Sequence, residues 1–177
     1  GIYADTAGDG DLYVLNSGSI LAVAVAGDAY GIYTYADGDG DNTMVNEGDI
    51  EAIAQYDAYG IRGNTDGDYG DMAVYNSGSI VATSYTSDAY GIYVDANGYT
   101  ADILVDNSGT ISAGGNLSFS GVDEVTNGGT IAVTGGSFEL AGGATLAVLA
   151  LTTPPSCSSA AGTAGRAAAG RRERWNR

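Results

Sequence analysis

The sequence has no histidine and no lysine, and it has only one cysteine and two prolines among 177 residues. Cys157 alone cannot form an intrachain disulfide or a cysteine-based zinc site. A serine nucleophile would lack a histidine base, and there is no Gly-x-Ser-x-Gly elbow. The longest strongly apolar stretch, Leu140 to Leu151, is too short for a transmembrane helix, which needs about 20 residues. We therefore expect no histidine-dependent chemistry and no membrane insertion by this chain itself.

Basic residues are scarce and unevenly placed, and the formal net charge is −16. Residues 1–155 contain 21 acidic residues and one cation, Arg62, which makes −20. Residues 156–177 contain five arginines and Glu173, which makes +4. A surface as acidic as that of residues 1–155 repels the phosphates of nucleic acids and of anionic membranes. We therefore expect no nucleic-acid partner, whereas small cations and basic partners remain compatible with this charge.

The chain repeats itself about every 30 residues, and such a period points to a repeat architecture. Four rows start with Gly-Ile, three of them directly after Asp-Ala-Tyr, at Gly1, Gly31, Gly60 and Gly91. A second marker, Asn-x-Gly-x-Ile, starts at Asn16, Asn46, Asn76, Asn107 and Asn127. The last interval falls to 20 residues, which predicts a shorter final turn.

Within each row the apolar residues alternate with a period of two, which is the pattern of a β-strand, and no helical period appears. Each row yields three short strands with one face turned inward. In the first two rows the predicted inward residues, strand by strand, are Ile32, Thr34 and Ala36; Leu12, Val14 and Asn16; and Ile20, Ala22, Ala24 and Ala26.

Three such strands cannot close a hydrophobic face alone, but a stack of similar turns buries it. We therefore predict an all-β fold, a parallel β-helix of about 30-residue turns over residues 1–149, each turn rising by about 4.8 Å. The recurring asparagines should form an internal ladder, their amides bonding one another and the backbone of the bend. The glycine two residues after each asparagine should supply the positive φ that a bend often needs.

After Leu149 the alternation stops, and the composition changes to alanine, glycine, serine, proline and arginine. Residues 150–177 are predicted to form a low-complexity basic tail that is disordered or partly helical. A sharper hypothesis makes this tail the product of an out-of-frame reading, because an arginine-poor chain changes abruptly into an arginine-rich one.

The Asn-Ser-Gly-x-Ile and Asp-Ala-Tyr-Gly-Ile-Tyr units cover about residues 1–133, and they resemble the repeats of autotransporter passenger domains. These are the surface-exposed β-helices of type V secretion in Gram-negative bacteria. The resemblance implies a right-handed β-helix that is secreted or held at the cell surface by an outer-membrane barrel, which this sequence does not include. It also implies adhesion or aggregation, with a host or bacterial surface protein or glycan as partner. Exposed strand edges at the ends of the column add self-association to these expectations.

An alternating run of aspartate and glycine is the most suggestive feature for metal binding. It contains Asp37, Asp39 and Asp41, and shorter runs echo it in other rows. Calcium takes six to eight oxygen ligands, and stacked loops of this kind would multiply the carboxylates on offer. The run lacks the terminal glutamate of an EF-hand loop and the nine-residue repeat of calcium β-rolls. These three residues are candidate calcium ligands, and the alternative is that they are solvated turn residues.

Tyrosine is the other excess, with 13 copies. The alternation predicts an outer-face position for six of them: Tyr3, Tyr33, Tyr35, Tyr75, Tyr85 and Tyr93. Because tyrosine joins a flat apolar ring to a hydroxyl and is common at interfaces, we take Tyr33, Tyr35 and Tyr93 as candidate partner-binding residues. The alternative is cross-strand stacking without a ligand. Three tyrosines that directly precede glycine are predicted to pack at a corner: Tyr30, Tyr59 and Tyr90.

Enzymatic activity has little support, although β-helices host polysaccharide lyases and hydrolases and paired carboxylates can cleave glycosidic bonds. Most acidic positions recur with the repeat rather than converging once in a cleft. We predict that the chain is not an enzyme but a surface-displayed or secreted structural and adhesive β-helix. The alternatives are a calcium-stabilised surface matrix component and, behind it, a β-helical polysaccharide-degrading enzyme.

Overall fold

The chain winds into a parallel β-solenoid, and the computed structural model describes residues 1–96, 102–114, 117–119, 124–133, 138–140, 145–148 and 151–152. Each turn, here called a rung, contains three strands. The first two rungs contain β1 (Ile2–Ala7), β2 (Leu12–Asn16), β3 (Ser19–Ala24), β4 (Ala29–Asp37), β5 (Asn42–Asn46) and β6 (Asp49–Ala54). The next two contain β7 (Ala58–Thr65), β8 (Met72–Asn76), β9 (Ser79–Ser84), β10 (Ala89–Ala96), β11 (Ile103–Asn107) and β12 (Thr110–Ala113). Two shorter rungs follow with β13 (Leu117–Phe119), β14 (Glu124–Asn127), β15 (Thr130–Val133), β16 (Phe138–Leu140), β17 (Thr145–Val148) and β18 (Leu151–Thr152).

Corresponding strands of successive rungs pair in parallel and build three sheets along the solenoid. The first sheet has the order β1-β4-β7-β10, the second β2-β5-β8-β11-β14-β17 and the third β3-β6-β9-β12-β15-β18, while β13 pairs with β16. The register sets repeat positions opposite each other, as in the pair Asn16 and Asn46. Asn107 pairs with Asn127, which confirms the shorter turn. The predicted all-β parallel fold is therefore confirmed, and its right-handed winding stays a prediction.

The interior is a narrow apolar column with layers from all three sheets. Its largest fully buried side chains are methionine and isoleucine: Ile32, Met44, Ile50, Ile61, Met72, Ile80, Ile92, Ile103, Ile111 and Ile131. A second buried cluster consists of alanines at the corner between the third and first sheets, including Ala54 and Ala58. Each large buried side chain stabilises the fold by about 1.5–3 kcal/mol, and the small alanines let the corner backbones approach.

The asparagine ladder forms as predicted and runs through the first five rungs. Nδ2 of each asparagine donates to Oδ1 of the next, at 2.8 Å from Asn16 to Asn46 and from Asn46 to Asn76, and at 2.6 Å in the two following steps. Each Nδ2 also donates to the carbonyl oxygen of the glycine two residues later, as Asn46 does to Gly48 at 3.0 Å. The amide suits this position because it carries both a donor and an acceptor.

The glycines that follow these asparagines serve a different purpose from the predicted one. The positive φ angles of the described glycines occur at Gly8, Gly27 and Gly38, and none occurs in the Asn-x-Gly bends. A Cβ on Gly48 or Gly78 would instead lie far inside van der Waals contact with the carbonyl oxygen of the corresponding glycine one rung earlier. Close backbone approach between rungs, rather than backbone conformation, therefore requires glycine at these positions.

A second correction concerns Ala26, which was predicted to point inward. It lies beyond the end of β3 and is exposed, because the chain has already turned toward β4. At the other end, β18 pairs with β15, and residues 153–177 of the predicted basic tail lie outside the described residues. Within the ranges that the structure describes, no helix is long and apolar enough to cross a membrane.

The close approach at the bends predicts a sharp difference between two equivalent glycines. Gly78→Ala should lower the free energy of unfolding by about 1–3 kcal/mol, because the methyl group forces two rungs apart. Gly18→Ala is the matched control, since nothing lies within 4 Å of its added Cβ, and we expect a change within about 0.5 kcal/mol. Urea unfolding measures both, and equal effects would contradict the close-approach explanation.

Candidate functional site

The outer side of the first sheet carries two adjoining columns of aromatic rings. In one column Tyr30, Tyr59 and Tyr90 stack nearly parallel, with ring centroids 5.0 and 4.9 Å apart. They stack because the register of β4, β7 and β10 sets the three residues side by side. Rings at this distance and offset attract one another beyond their area burial.

The other column contains Tyr3, Tyr33, Arg62 and Tyr93, which are paired in register across β1, β4, β7 and β10. The Tyr3 and Tyr33 rings meet edge to face at 5.2 Å. Rings also touch across the two columns, with Tyr33 5.3 Å from Tyr30 and Tyr93 5.4 Å from Tyr90. We call this surface the tyrosine face, and its residues are Tyr3, Tyr30, Tyr33, Tyr59, Arg62, Tyr90 and Tyr93.

Arg62 lies in the middle of the tyrosine face and is held chiefly by rings. Its guanidinium carbon is 5.0 Å from the ring centroid of Tyr59, 5.3 Å from that of Tyr33 and 5.7 Å from those of Tyr30 and Tyr93. Nη1 donates to Oη of Tyr30 at 3.2 Å, whereas Nε has no hydrogen-bond partner among the described residues. All four distances fall within the roughly 6 Å range of a cation–π contact.

Carboxylates border the tyrosine face and accept hydrogen bonds from its phenols. Three phenols each donate to the aspartate two residues earlier, as Tyr30 does to Asp28 at 3.2 Å and Tyr90 to Asp88 at 3.2 Å. Burial and the negative charge of Asp88 raise the pKa of Tyr90 to about 12. Burial followed by the charge of Asp57 raises the pKa of Tyr59 as well. These phenols therefore stay protonated at neutral pH and act as donors to the acidic border.

Of the three predicted partner-binding tyrosines, Tyr33 and Tyr93 belong to the tyrosine face, where both contact Arg62. Tyr35 lies two residues further along β4, and its Oη donates to Oδ2 of Asp66 at 2.5 Å. This hydrogen bond is the main cause that raises the pKa of Tyr35 to about 12. Tyr35 is therefore a neighbour of the tyrosine face rather than part of its ring contacts.

Sequence reasoning missed part of this surface. Tyr75 and Tyr85 are exposed, as their predicted outer-face positions require, but Tyr75 lies on β8 in the second sheet and Tyr85 lies beyond the end of β9, so neither belongs to the tyrosine face. The tyrosines before glycine, predicted to pack at a corner, each follow a corner alanine such as Ala58 and also stack on one another in a column. Arg62 was not predicted to be a site residue. The sequence did contain a signal for it, because Arg62 stands at the repeat position where the adjacent rows have Tyr33 and Tyr93.

The aspartate runs form columns of their own, in which several carboxylates accept a backbone N–H from the next rung. Oδ1 of Asp11 accepts from Asp41, and Oδ1 of Asp41 accepts from Asp71, both at 3.1 Å. Oδ1 of Asp39 accepts from Asp68 at 2.9 Å. Asp37 is exposed at the end of β4. The part of the chain that the structure describes contains no group of three acidic or other ligating side chains arranged to hold a metal ion. Calcium binding by Asp37, Asp39 and Asp41 stays a prediction.

Comparison with protein-family models, with curated proteins and with solved structures finds no match to the chain. The fold therefore follows from the structure itself, and any statement about function depends on the surface just described.

The surroundings of Asp57 predict that its carboxylate stabilises the fold in a pH-dependent way. Partial burial opposes its ionisation, but hydrogen bonds from Ser87, the Asp88 backbone and Tyr59, together with the charge of Arg62, outweigh it and lower the pKa of Asp57. The pKa of this carboxyl group is lower in the folded chain than its unfolded value of about 3.9, so the ionised carboxylate stabilises the fold above that pH. This stabilisation is lost as the pH falls through the folded-state pKa.

Asp57→Asn should therefore cost about 0.2–1 kcal/mol at neutral pH, a range suited to a partly exposed group. The cost should disappear progressively below about pH 5. Urea unfolding across the pH range measures it, with Asp49→Asn as an exposed control for the loss of one charge. A cost for Asp57→Asn that stays constant down to pH 2 would contradict the assignment.

The ring contacts of Arg62 should also stabilise the fold. Arg62→Ala should lower the free energy of unfolding by about 1–2 kcal/mol, because four ring contacts are lost together. Arg62→Tyr is the matched variant, since it also removes the charge but restores the residue that Tyr33 and Tyr93 supply in the adjacent rungs. We expect it to retain most of the stability. Urea unfolding and near-ultraviolet circular dichroism measure both, and an unchanged Arg62→Ala would contradict the role of the guanidinium.

Proposed function

We propose that this chain is a segment of a surface-displayed or secreted adhesive β-solenoid, similar in role to an autotransporter passenger of a Gram-negative bacterium. The stack of rungs provides a rigid column, and the tyrosine face is the surface by which it contacts a partner. The partner is a protein or glycan on a host or bacterial surface.

The single observation that carries the proposal is the concentration of six tyrosines and one arginine on one outer surface of the solenoid. Tyrosine and arginine are enriched at protein interfaces, where they provide most of the binding energy. The rings are also stiffened by their neighbours, so a partner orders few free rotamers on binding. Stacking alone explains the column of Tyr30, Tyr59 and Tyr90. It does not explain Arg62, a cation set in register between Tyr33 and Tyr93.

Two other functions are less well supported. A calcium-stabilised matrix component would use the aspartate columns, but their carboxylates already accept backbone N–H groups of the next rung. A polysaccharide-degrading enzyme would need a unique cleft with convergent acid and base, whereas most of these carboxylates recur with the rungs. We therefore place adhesion first and assign no catalytic role.

The proposal predicts that replacing Tyr33, Tyr35 and Tyr93 together with serine weakens adhesion by at least about tenfold, the effect expected for interface hot spots. The measurement is retention of the purified chain on bacterial cells, host cells, glycan arrays and surface-protein arrays. The matched control replaces Tyr13, Tyr75 and Tyr85, which are 63%, 40% and 71% exposed outside the tyrosine face. Circular dichroism checks that both variants fold. Equal adhesion of the two variants would overturn the proposal.

A further inference from the structure

The tyrosine face already binds one guanidinium group, its own. Arg62 shows that four rings can surround such a cation at 5.0–5.7 Å with a single hydrogen bond from Nη1. The guanidinium is planar and weakly hydrated, so it stacks on aromatic rings at a lower desolvation cost than a lysine ammonium. Surfaces of stacked rings of this kind therefore favour arginine over lysine.

Among the described residues, the charged groups around the tyrosine face are carboxylates, apart from Arg62. Asp28, Asp57 and Asp88 accept hydrogen bonds from its phenols, and Asp5 accepts one from Tyr3 at 3.4 Å. Carboxylates beside aromatic rings attract cations to the ring surfaces and repel anions. The acidic border thus selects against sialylated or sulfated glycans and against nucleic acids, and in favour of basic groups.

The tyrosine face of a second copy is a poor occupant for the same reason. Residues 1–155 carry a formal charge of −20, so two tyrosine faces would bring two strongly acidic surfaces together. Such like-charge contact opposes association at ordinary ionic strength. Charge complementarity instead requires a partner that brings several positive charges.

We propose that the partner of the tyrosine face is an arginine-rich segment of another protein, whose guanidinium groups stack on the solvent-facing parts of the half-buried rings while the bordering aspartates pair with its charge. This inference rests on the proposed function, because it names the partner class of the same surface. The rings of Tyr33 and Tyr93 are half-buried, so part of each ring remains open to solvent beside Arg62.

The experiment compares binding of octa-arginine and octa-lysine peptides to the full chain by isothermal titration calorimetry, at about 0.15 M salt so that diffuse attraction is screened. We expect octa-arginine to bind about fivefold more tightly than octa-lysine, because guanidinium loses less hydration on stacking and the ratio corresponds to about one exposed cation–π contact. Replacing Tyr33 and Tyr93 with serine should reduce this ratio to about one. Replacing Tyr13 and Tyr85, which are 63% and 71% exposed elsewhere, should leave it unchanged.

Several outcomes would overturn the inference. Equal affinity for the two peptides, unaffected by the tyrosine variants, would mean diffuse charge attraction only. Binding that appears only when the arginines of residues 156–177 are replaced with glutamine would make the chain's own segment the occupant. Where the Tyr33/Tyr93 variant does not fold, Tyr3→Ser against Tyr13→Ser gives the same comparison, since both residues are 63% exposed.

The test also separates this inference from the proposed function. Tyrosine-dependent adhesion to cells or neutral glycans that octa-arginine does not compete for would overturn the inference and leave adhesion standing. Arginine-selective binding without any tyrosine-dependent adhesion would overturn the adhesive function and keep the partner chemistry.

Discussion

Each rung must lie one strand spacing, about 4.8 Å, from an in-register copy of itself, and this constraint governs every side chain in the solenoid. A residue can recur in a column only if it tolerates its own kind at that distance. Isoleucine and alanine do so by packing, and tyrosine does so by stacking. Asparagine does so by donating to the next asparagine, as Asn76 does to Asn107 at 2.6 Å. Glycine at the bends allows the closest approach of all.

Aspartate is the residue that this constraint suits least, because like charges about 5 Å apart repel by roughly 1 kcal/mol even in water. The structure offsets this cost where a carboxylate accepts a backbone N–H of the following rung, as Asp71 does from Asp102 at 3.0 Å. An ionised carboxylate is a strong acceptor, so the bond is worth more than a neutral one. The same columns that load the surface with negative charge therefore also cap the turns between β-strands.

Local pattern was enough to predict the strands, their inner faces and the asparagine ladder, because a period of two and a recurring motif translate directly into facing and register. It was not enough for features that depend on contacts between rungs. The role of Gly78 becomes visible only when the Gly48 carbonyl is in position, and Ala26 is exposed because the chain turns before the alternation ends. The site was predicted in part: Tyr33 and Tyr93 were identified, but the contacts that join them run through Arg62.

Arg62 matters because it breaks the repeat. In a column where each residue faces its own kind, tyrosine at all positions would give a uniform, nearly apolar ladder whose purpose is stability alone. One arginine in that ladder introduces the only cation of residues 1–155 and surrounds it with rings and carboxylates. A ladder that needed only to stack would lose nothing by keeping tyrosine there. Position 62 is thus where this tyrosine column is interrupted, and what the structure shows there is a guanidinium group packed against aromatic rings.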